Sequence, residues 1–457
     1  MDPTAFPADP DLPQLAIASD PALMREIFRT ELRPLTRQAY CIQDCQVFRV
    51  RYRRGARCVL QYTLRLVEPR TGRKWSQWVT GVIAAEDRTE SVWQRLQAAD
   101  PAQEVPEAFP TFEPACFISA LKMLVQVFPY DRRLPSLCRI MRRPSPELEP
   151  LLLSGFGSGG WHVKHWEIDP VRYRAQLGAV LRYTVHAWDT ATGRKAEKRF
   201  YVKIYRDEAG ERTYQLLQAL WERAKARGDN FTVGRPIAYL NDLHALILEE
   251  APGTSLQEIL LQGGDTVAVM RKVARALAVF NQDEVATTRR HSPEDEIADL
   301  KRAGALLQWA CPHLKAEVEA IVSAVVTGLE EVPPGPTHRD LKPDHILLDG
   351  DRVVFLDLDS FAGADPVLDP AHLLARLAAL PSRFPIPRRR MWTAARAFAE
   401  EYFAHVPRAW RSRLPLHYAG ATLEAAASFL RNQEPNWSEK MATLVREARD
   451  SLAGRVW

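Results

Sequence analysis

The stretch THRDLKPDHILL, Thr337 to Leu348, sets Asp340, Lys342, Asp344 and His345 within six residues. A carboxylate can orient a hydroxyl or accept its proton. An ammonium can stand against an anionic oxygen. A neutral imidazole can bind a divalent ion, and it favours Mn²⁺ or Zn²⁺ over Mg²⁺ more than an oxygen ligand would. Twelve residues beyond His345, the run RVVFLDLD carries Asp357 at the end of an apolar strand and Asp359 two positions on. Carboxylates suit a hard ion such as Mg²⁺. Asp359 either points the same way as Asp357 or caps the turn. Upstream, YVKIY places Lys203 in a strand, and Glu211 follows on the next helix.

These side chains need elements to hold them. VLRYTVHAW reads as a β-rich strand with partial alternation, DTATGRK as a hairpin turn and KRFYVKIYR as a second strand. HWEIDPVRYR supplies a preceding strand. DEAGERTYQLLQALWERAK opens a helix with Tyr214, Leu217 and Leu220 or Trp221 on one face. The product is a small antiparallel sheet with a helix on it. Beyond the mid-250s the chain is mostly helical, as in DTVAVMRKVARALAVFNQ, HLKAEVEAIVSAVVTGLEE, AHLLARLAAL and RRRMWTAARAFAEEYFAHV. The run Arg388 to Arg390 reads as a solvated helix start.

At 457 residues the chain is too long for one ordinary core. Hydrophobic residues at 46% and charged residues at 26% fit a folded domain rather than disorder. A net charge of +4 gives no reason to expect a nucleic-acid or membrane surface. The Pro- and Asp-rich start lacks a basic n-region and an apolar h-region, so no secretory signal is expected, and a reducing cytoplasm is. The six cysteines do not suggest a disulfide framework. Cys41 with Cys45, and His162 with His165, lack the second pair that zinc spacing requires.

A repeat precedes the sheet. VRYRRGARCVLQYTLRLVEPRTGRK, Val50 to Lys74, aligns without a gap with VRYRAQLGAVLRYTVHAWDTATGRK, Val171 to Lys195. From Val50 to Ala98, 18 of 49 positions match those 121 residues on. Chance would give about 3, at about 6% per position. Strand patterning would reproduce apolar matches but not VRYR and TGRK twice. In this register Val82 corresponds to Lys203, while Glu90 corresponds to Glu211.

Residues 160 to about 385 resemble the aminoglycoside phosphotransferase family, a branch of the protein-kinase-like fold. Four blocks stand in the family's order. YVKIY resembles the strand with the nucleotide lysine. LILEEAPGTSLQEIL resembles the hinge. HRDLKPDHILL resembles the catalytic loop. VVFLDLDSFAGADPVLDPAHLL resembles the metal-binding strand and the segment after it. The wording RDLKP is closer to protein kinases, but no DFG, no APE and no activation-loop length is present, which keeps the small-molecule branch.

The resemblance implies an α+β fold, a protein-kinase-like pair of lobes preceded by a degenerate duplicate of the N-lobe. The expected layout is a leader over 1–37, the degenerate repeat over 38–145, a linker over 146–159 that takes in all but the last residue of GFGSGG, the N-lobe over 160–254 and a helical C-lobe over 255–457. It implies an ATP-dependent phosphotransferase with a small-molecule hydroxyl acceptor, such as a sugar, an aminoglycoside-like compound or a metabolite. Asp340 would be the catalytic carboxylate and Lys342 a cation on the γ-phosphate. Lys203, held by Glu211, with Gly178, Glu249, Glu250 and Ala251, would bind ATP. Asp357, His345 and Asp359 would bind Mg²⁺, or Mn²⁺ because of the imidazole. His338 would buttress the metal-binding strand, and Asp369 would hold loop backbone. No nucleic acid or membrane partner is implied, and a homodimer through the first repeat is compatible. Two departures stand out. The phosphate-covering loop offers only Gly178, and His345 replaces the family's asparagine. They keep a second reading open, a catalytically silent pseudokinase acting as a nucleotide-binding or scaffold module.

Overall fold

The computed structural model describes residues 6–35, 40–85, 88–97, 112–141, 146–228 and 230–456. The expected boundaries at 37, 38 and 145, and the end of the repeat at Ala98, lie outside the described residues. Mixed α+β structure with antiparallel sheets divides into two compact units. The first comprises Met1–Arg212, Ile237–Glu249 and Arg431–Pro435, and the second Thr213–Pro236, Glu250–Leu430 and Asn436–Trp457.

The first unit holds two five-stranded sheets. One contains β1 (Cys41–Arg53), β2 (Arg57–Val67), β3 (Lys74–Ala84), β4 (Ala115–Ile118) and β5 (Met123–Val127), in the order β1-β2-β3-β5-β4. The other contains β6 (Trp161–Arg174), β7 (Gly178–Asp189), β8 (Lys195–Tyr205), β10 (Pro236–Leu240) and β11 (Ala245–Glu249). Its order is β6-β7-β8-β11-β10, the same path through the sheet. Cross-strand register agrees as well. Val59 faces Val82 in the first sheet and Val180 faces Lys203 in the second, each residue 121 positions from its counterpart.

Alternation explains the second sheet. Ala179, Leu181, Tyr183, Val185 and Ala187 on β7, and Phe200, Val202 and Ile204 on β8, are buried. A period of two sends these to one face and Lys203 to the other. One core joins both sheets, since Val59, Val82 and Leu124 cluster with Leu181, Tyr183 and Val202. The segment expected as a linker takes part. Its helix Glu149–Ser154 and the fully buried Leu148 and Leu152 belong to that core. The leader is likewise anchored. Asp20 caps helix Pro21–Glu31, whose Met24 and Phe28 are buried among residues of β1 and β2.

The second unit is mostly helical, with two small sheets. Strands β9 (Phe231–Val233), β12 (Thr254–Ser255), β14 (Ile346–Asp349) and β15 (Arg352–Phe355) form one in the order β12-β14-β15-β9, and β13 (Gly335–Thr337) pairs with β16 (Ala362–Ala364) in the other. The β14–β15 hairpin turns on Gly350 at φ +57°, a conformation that costs glycine little. Phe355 packs against Phe280 and Phe231 at ring separations of 5.3 and 5.9 Å. That cluster fixes the strand leading to Asp357. All six cysteines are free thiols, and among the described residues no helix is long and apolar enough to cross a membrane.

Candidate active site

In the second unit, the loop after β13 is held from below by one carboxylate. Asp369, fully buried on helix Leu368–Ala379, accepts the His338 and Arg339 N–H groups at 2.8 Å each and the Asn281 amide at 2.8 Å. Tyr402 donates to Asn281 Oδ1 at 2.9 Å, which fixes the amide's orientation. The loop is bent hard here, with Arg339 at φ +65°. Non-glycine residues hold such a conformation only where their surroundings impose it. Asp369→Ala is therefore expected to destabilise the protein by roughly 2–5 kcal/mol, since one buried and one part-buried N–H group and the buried Asn281 amide lose their acceptor. An unchanged denaturation midpoint would show that the loop finds other partners.

His338 donates from Nε2 to the Leu356 carbonyl at 2.8 Å, so it ties the catalytic-type loop to the end of β15. Asp357 follows, itself at φ +62°. His345 lies behind this pair and is buried. Its Nδ1 is 3.0 Å from the Asp340 carbonyl, which can only accept, so Nδ1 carries the proton. Its Nε2 then bears a lone pair, 3.2 Å from Asp357 Oδ2. Burial, foremost, and the Lys342 charge hold the imidazole down to about 4, against the pull of Asp357 and Asp340. At neutral pH the contact is therefore two acceptors face to face, not an ion pair.

A cation would resolve that conflict. Ligand atoms of Asp340, His345 and Asp357 all lie within 4.8 Å of one another, which fits a divalent ion with mixed nitrogen and oxygen donors. Asp359 is exposed and lies outside this cluster, and Asp344 turns toward Lys342 at 3.9 Å. Lys342 also stands 3.6 Å from Asp340. Burial raises the Asp340 carboxyl, but the charges of Lys342, His345 and Arg376 outweigh it and hold it down to about 2. His162 and His165 do not join a metal-type cluster among the described residues.

Two further residues near Asp340 escaped the sequence reading. His372 and Arg376 act electrostatically on or with Asp340, and burial followed by the Arg376 charge holds His372 down to about 3. Their signal was available, because Asp369, His372 and Arg376 fall at i, i+3 and i+7 on one helix face.

In the first unit, Lys203 lies on β8 between Val180 and Leu246, its ammonium 5.9 Å from the Tyr205 ring centre. Among the described residues no ion pair joins Glu211 to Lys203. Glu211, in the first turn of helix Ala209–Arg227, lies near Tyr239, whose phenol is pushed up by burial and then by the Glu211 charge. Glu249 ends β11 and takes Lys198 at 2.7 Å, while Glu250 and Ala251 open the Glu250–Leu430 segment of the second unit.

The β6–β7 turn differs most from expectation. Its backbone amides are occupied. Ala175 N–H donates to Gln61 Oε1 at 3.3 Å, Gln176 N–H to Asp131 at 2.6 Å and Leu177 N–H to the Arg174 carbonyl at 2.9 Å. Gln61 and Asp131 belong to the first sheet region, so the first repeat grips the turn. Gly178 has a packing reason of its own, since a Cβ there would stand 2.7 Å from the Ile204 carbonyl oxygen. The scarcity of glycine thus accompanies a turn whose N–H groups are already bonded within the protein.

Residues 178–416, a little over half of the chain, match the phosphotransferase enzyme family, abbreviated APH. The chain belongs to that family. Its members are phosphotransferases, and the chain is one of them. The match takes in Lys203, Asp340, Lys342, His345 and Asp357 and leaves residues 1–177 outside it. No curated protein matches the chain. Among solved structures, the GDP and kanamycin complex of APH(2")-IIia is similar at 12% identity over 66% of this chain and 98% of that one, with a TM-score of 0.44. Macrolide 2'-phosphotransferase MphH from Brachybacterium faecium is similar at 15% identity over 65% and 98%, with a TM-score of 0.40. Plasmodium vivax ethanolamine kinase is similar at 11% over 70% and 95%, with a TM-score of 0.41.

Proposed function

We propose that this phosphotransferase moves the γ-phosphate of ATP to a hydroxyl of a small molecule, with Asp340 as the group that meets the acceptor. The observation that carries the reading is the convergence of Asp340, His345 and Asp357, supported by the lone pair that His345 turns toward Asp357. Phosphoryl transfer needs positioning and neutralisation of charge more than covalent chemistry. Asp340, held down to about 2, is ionised at neutral pH. It orients the acceptor hydroxyl and accepts its proton only as the oxygen becomes acidic in transfer. Lys342 supplies positive charge to the moving group, and Lys203 takes the α- and β-phosphates. A divalent ion held by Asp357 and His345 would neutralise phosphate charge. Asp359, being exposed, has the weaker claim as a ligand, and Gly178 serves packing. The shared strand order and the 121-residue register support descent of the first sheet from a copy of the second, now without a nucleotide lysine.

Metal preference tests the site. Mn²⁺ should support turnover at least as well as Mg²⁺, because an imidazole replaces an oxygen ligand. His345→Asn should shift the preference back toward Mg²⁺. The pH profile carries a second mark. An unperturbed histidine would lose its lone pair near pH 6.5, whereas this one, depressed by burial, loses it near pH 4. Activity should therefore persist through pH 6 and fall only as pH approaches 4, and His345→Asn should remove that component. Metal titrations and pH–rate profiles that do not distinguish the two proteins would show that His345 takes no part in metal binding.

A further inference from the structure

A cavity of about 540 Å³ opens in the first sheet, within the size range of small-molecule sites. Six arginines line it, namely Arg51, Arg53, Arg57, Arg88, Arg132 and Arg133. Its floor is apolar, made by Val59, Val82 and Leu124, which are at most 4% exposed. In the 121-residue register Val82 stands where β8 has Lys203, and Arg57 where β7 begins with Gly178. The cavity thus occupies the first sheet's counterpart of the lysine-bearing surface, with its charge carried by other positions.

Five of the six arginines are not held by carboxylates. No ion pair holds Arg51, Arg53, Arg57, Arg132 or Arg133 among the described residues. Asp131 is the nearby buried acid, and its oxygens already accept the Tyr173 hydroxyl at 2.9 Å, the Gln176 N–H at 2.6 Å and the Arg133 N–H at 2.9 Å. Arg51 reaches the Ala175 carbonyl and Gln176 Oε1 at 3.2 and 3.3 Å, and Arg57 donates to the same Gln176 oxygen. These are neutral acceptors, and they leave most guanidinium N–H groups for another partner. The Arg132 Nε is buried with no hydrogen-bond partner among the described residues. Burial, then the charges of Arg51, Arg133 and Arg132, bring Arg57 down to about 10, the mark of a cluster short of negative charge.

We propose that this cavity binds a small molecule bearing two or more phosphate groups, with an apolar portion lying on Val59, Val82 and Leu124. Guanidinium groups meet phosphate oxygens in paired hydrogen bonds, and several converging from one wall select for multiple charge. We take the site as non-catalytic, because among the described residues no carboxylate equivalent to Asp340 or Asp357 lines it. It is independent of the transfer reaction proposed above, and the two can fail separately.

Calorimetric titration of the full chain in EDTA, with inorganic tripolyphosphate and with ADP, tests it. Wild type should bind at least one of the probes, and Lys203→Ala should keep that binding. Arg57→Ala combined with Arg132→Ala should weaken it at least tenfold. Because Arg57 also contacts Gln176, the exposed Arg133→Glu serves as a second variant and should weaken it in the same direction with an unchanged melting temperature. Either probe bound this way supports the site, and the tighter one identifies the source of the phosphates. Failure of both probes to bind wild type would overturn the proposal. So would binding that Lys203→Ala abolishes and the arginine variants leave intact.

Discussion

Asp340→Asn is expected to reduce phosphoryl transfer by about 10²–10⁴-fold while leaving the fold and nucleotide affinity in place. The amide keeps the shape of the side chain but cannot accept the acceptor's proton, and it turns two hydrogens into space where a carboxylate oxygen stood. The loop itself hangs on Asp369 and on His338, neither of which touches the substituted group's carboxyl oxygens in the structure. Loss of activity should therefore appear in kcat rather than in melting temperature. Because Asp340 is held down to about 2, its role is weighted toward orientation, and the rate should show no titration of this group near neutral pH. Full activity in Asp340→Asn would mean that another residue meets the acceptor.

Lys203→Ala is expected to cost about 10²–10³-fold in kcat/KM, the usual scale for removing one preorganised positive contact from a phosphoryl or oxyanion site. Its counterpart separates the two sheets. Val82, in the matching register, is 4% exposed and packs in the core that the sheets share. Val82→Ala should lower stability by roughly 1–3 kcal/mol through the cavity it leaves, with the KM for nucleotide unchanged. Steady-state kinetics and thermal melts on both variants check this. Equal kinetic losses from the two would remove the division of labour between the sheets.

Much of the chemistry was legible because it is local. The alternation in β7 and β8 placed Lys203 away from the core face, and the helices over Thr266–Asn281 and Arg388–Ala404 followed from apolar spacing. The loop from Thr337 to Leu348 carried its own wording. What escaped was long-range. The grip on the β6–β7 turn comes from Gln61 and Asp131, far from the turn in sequence, and no periodicity reports a partner at that distance. The expected Lys203–Glu211 pair rested on resemblance, and the helix puts Glu211 beside Tyr239 instead. The linker composition of 146–159 hid the fact that Leu148 and Leu152 are spaced to bury one helix face. Gly178 was expected in the phosphate-covering loop, and the close approach of the Ile204 carbonyl gives it a packing reason that no local pattern reports.

The central claim is a working transfer site built from Asp340, His345 and Asp357. Its most direct test is mass-spectrometric detection of phosphorylated product from the purified full chain with ATP and Mg²⁺ or Mn²⁺. The panel should hold sugars, aminoglycosides and amino alcohols, with Asp340→Asn run alongside. The predicted result is a phosphorylated acceptor formed with matching ADP, dependent on divalent metal and nearly absent in Asp340→Asn. No product from wild type with any acceptor, nucleotide or metal, or equal product from both proteins, would contradict it.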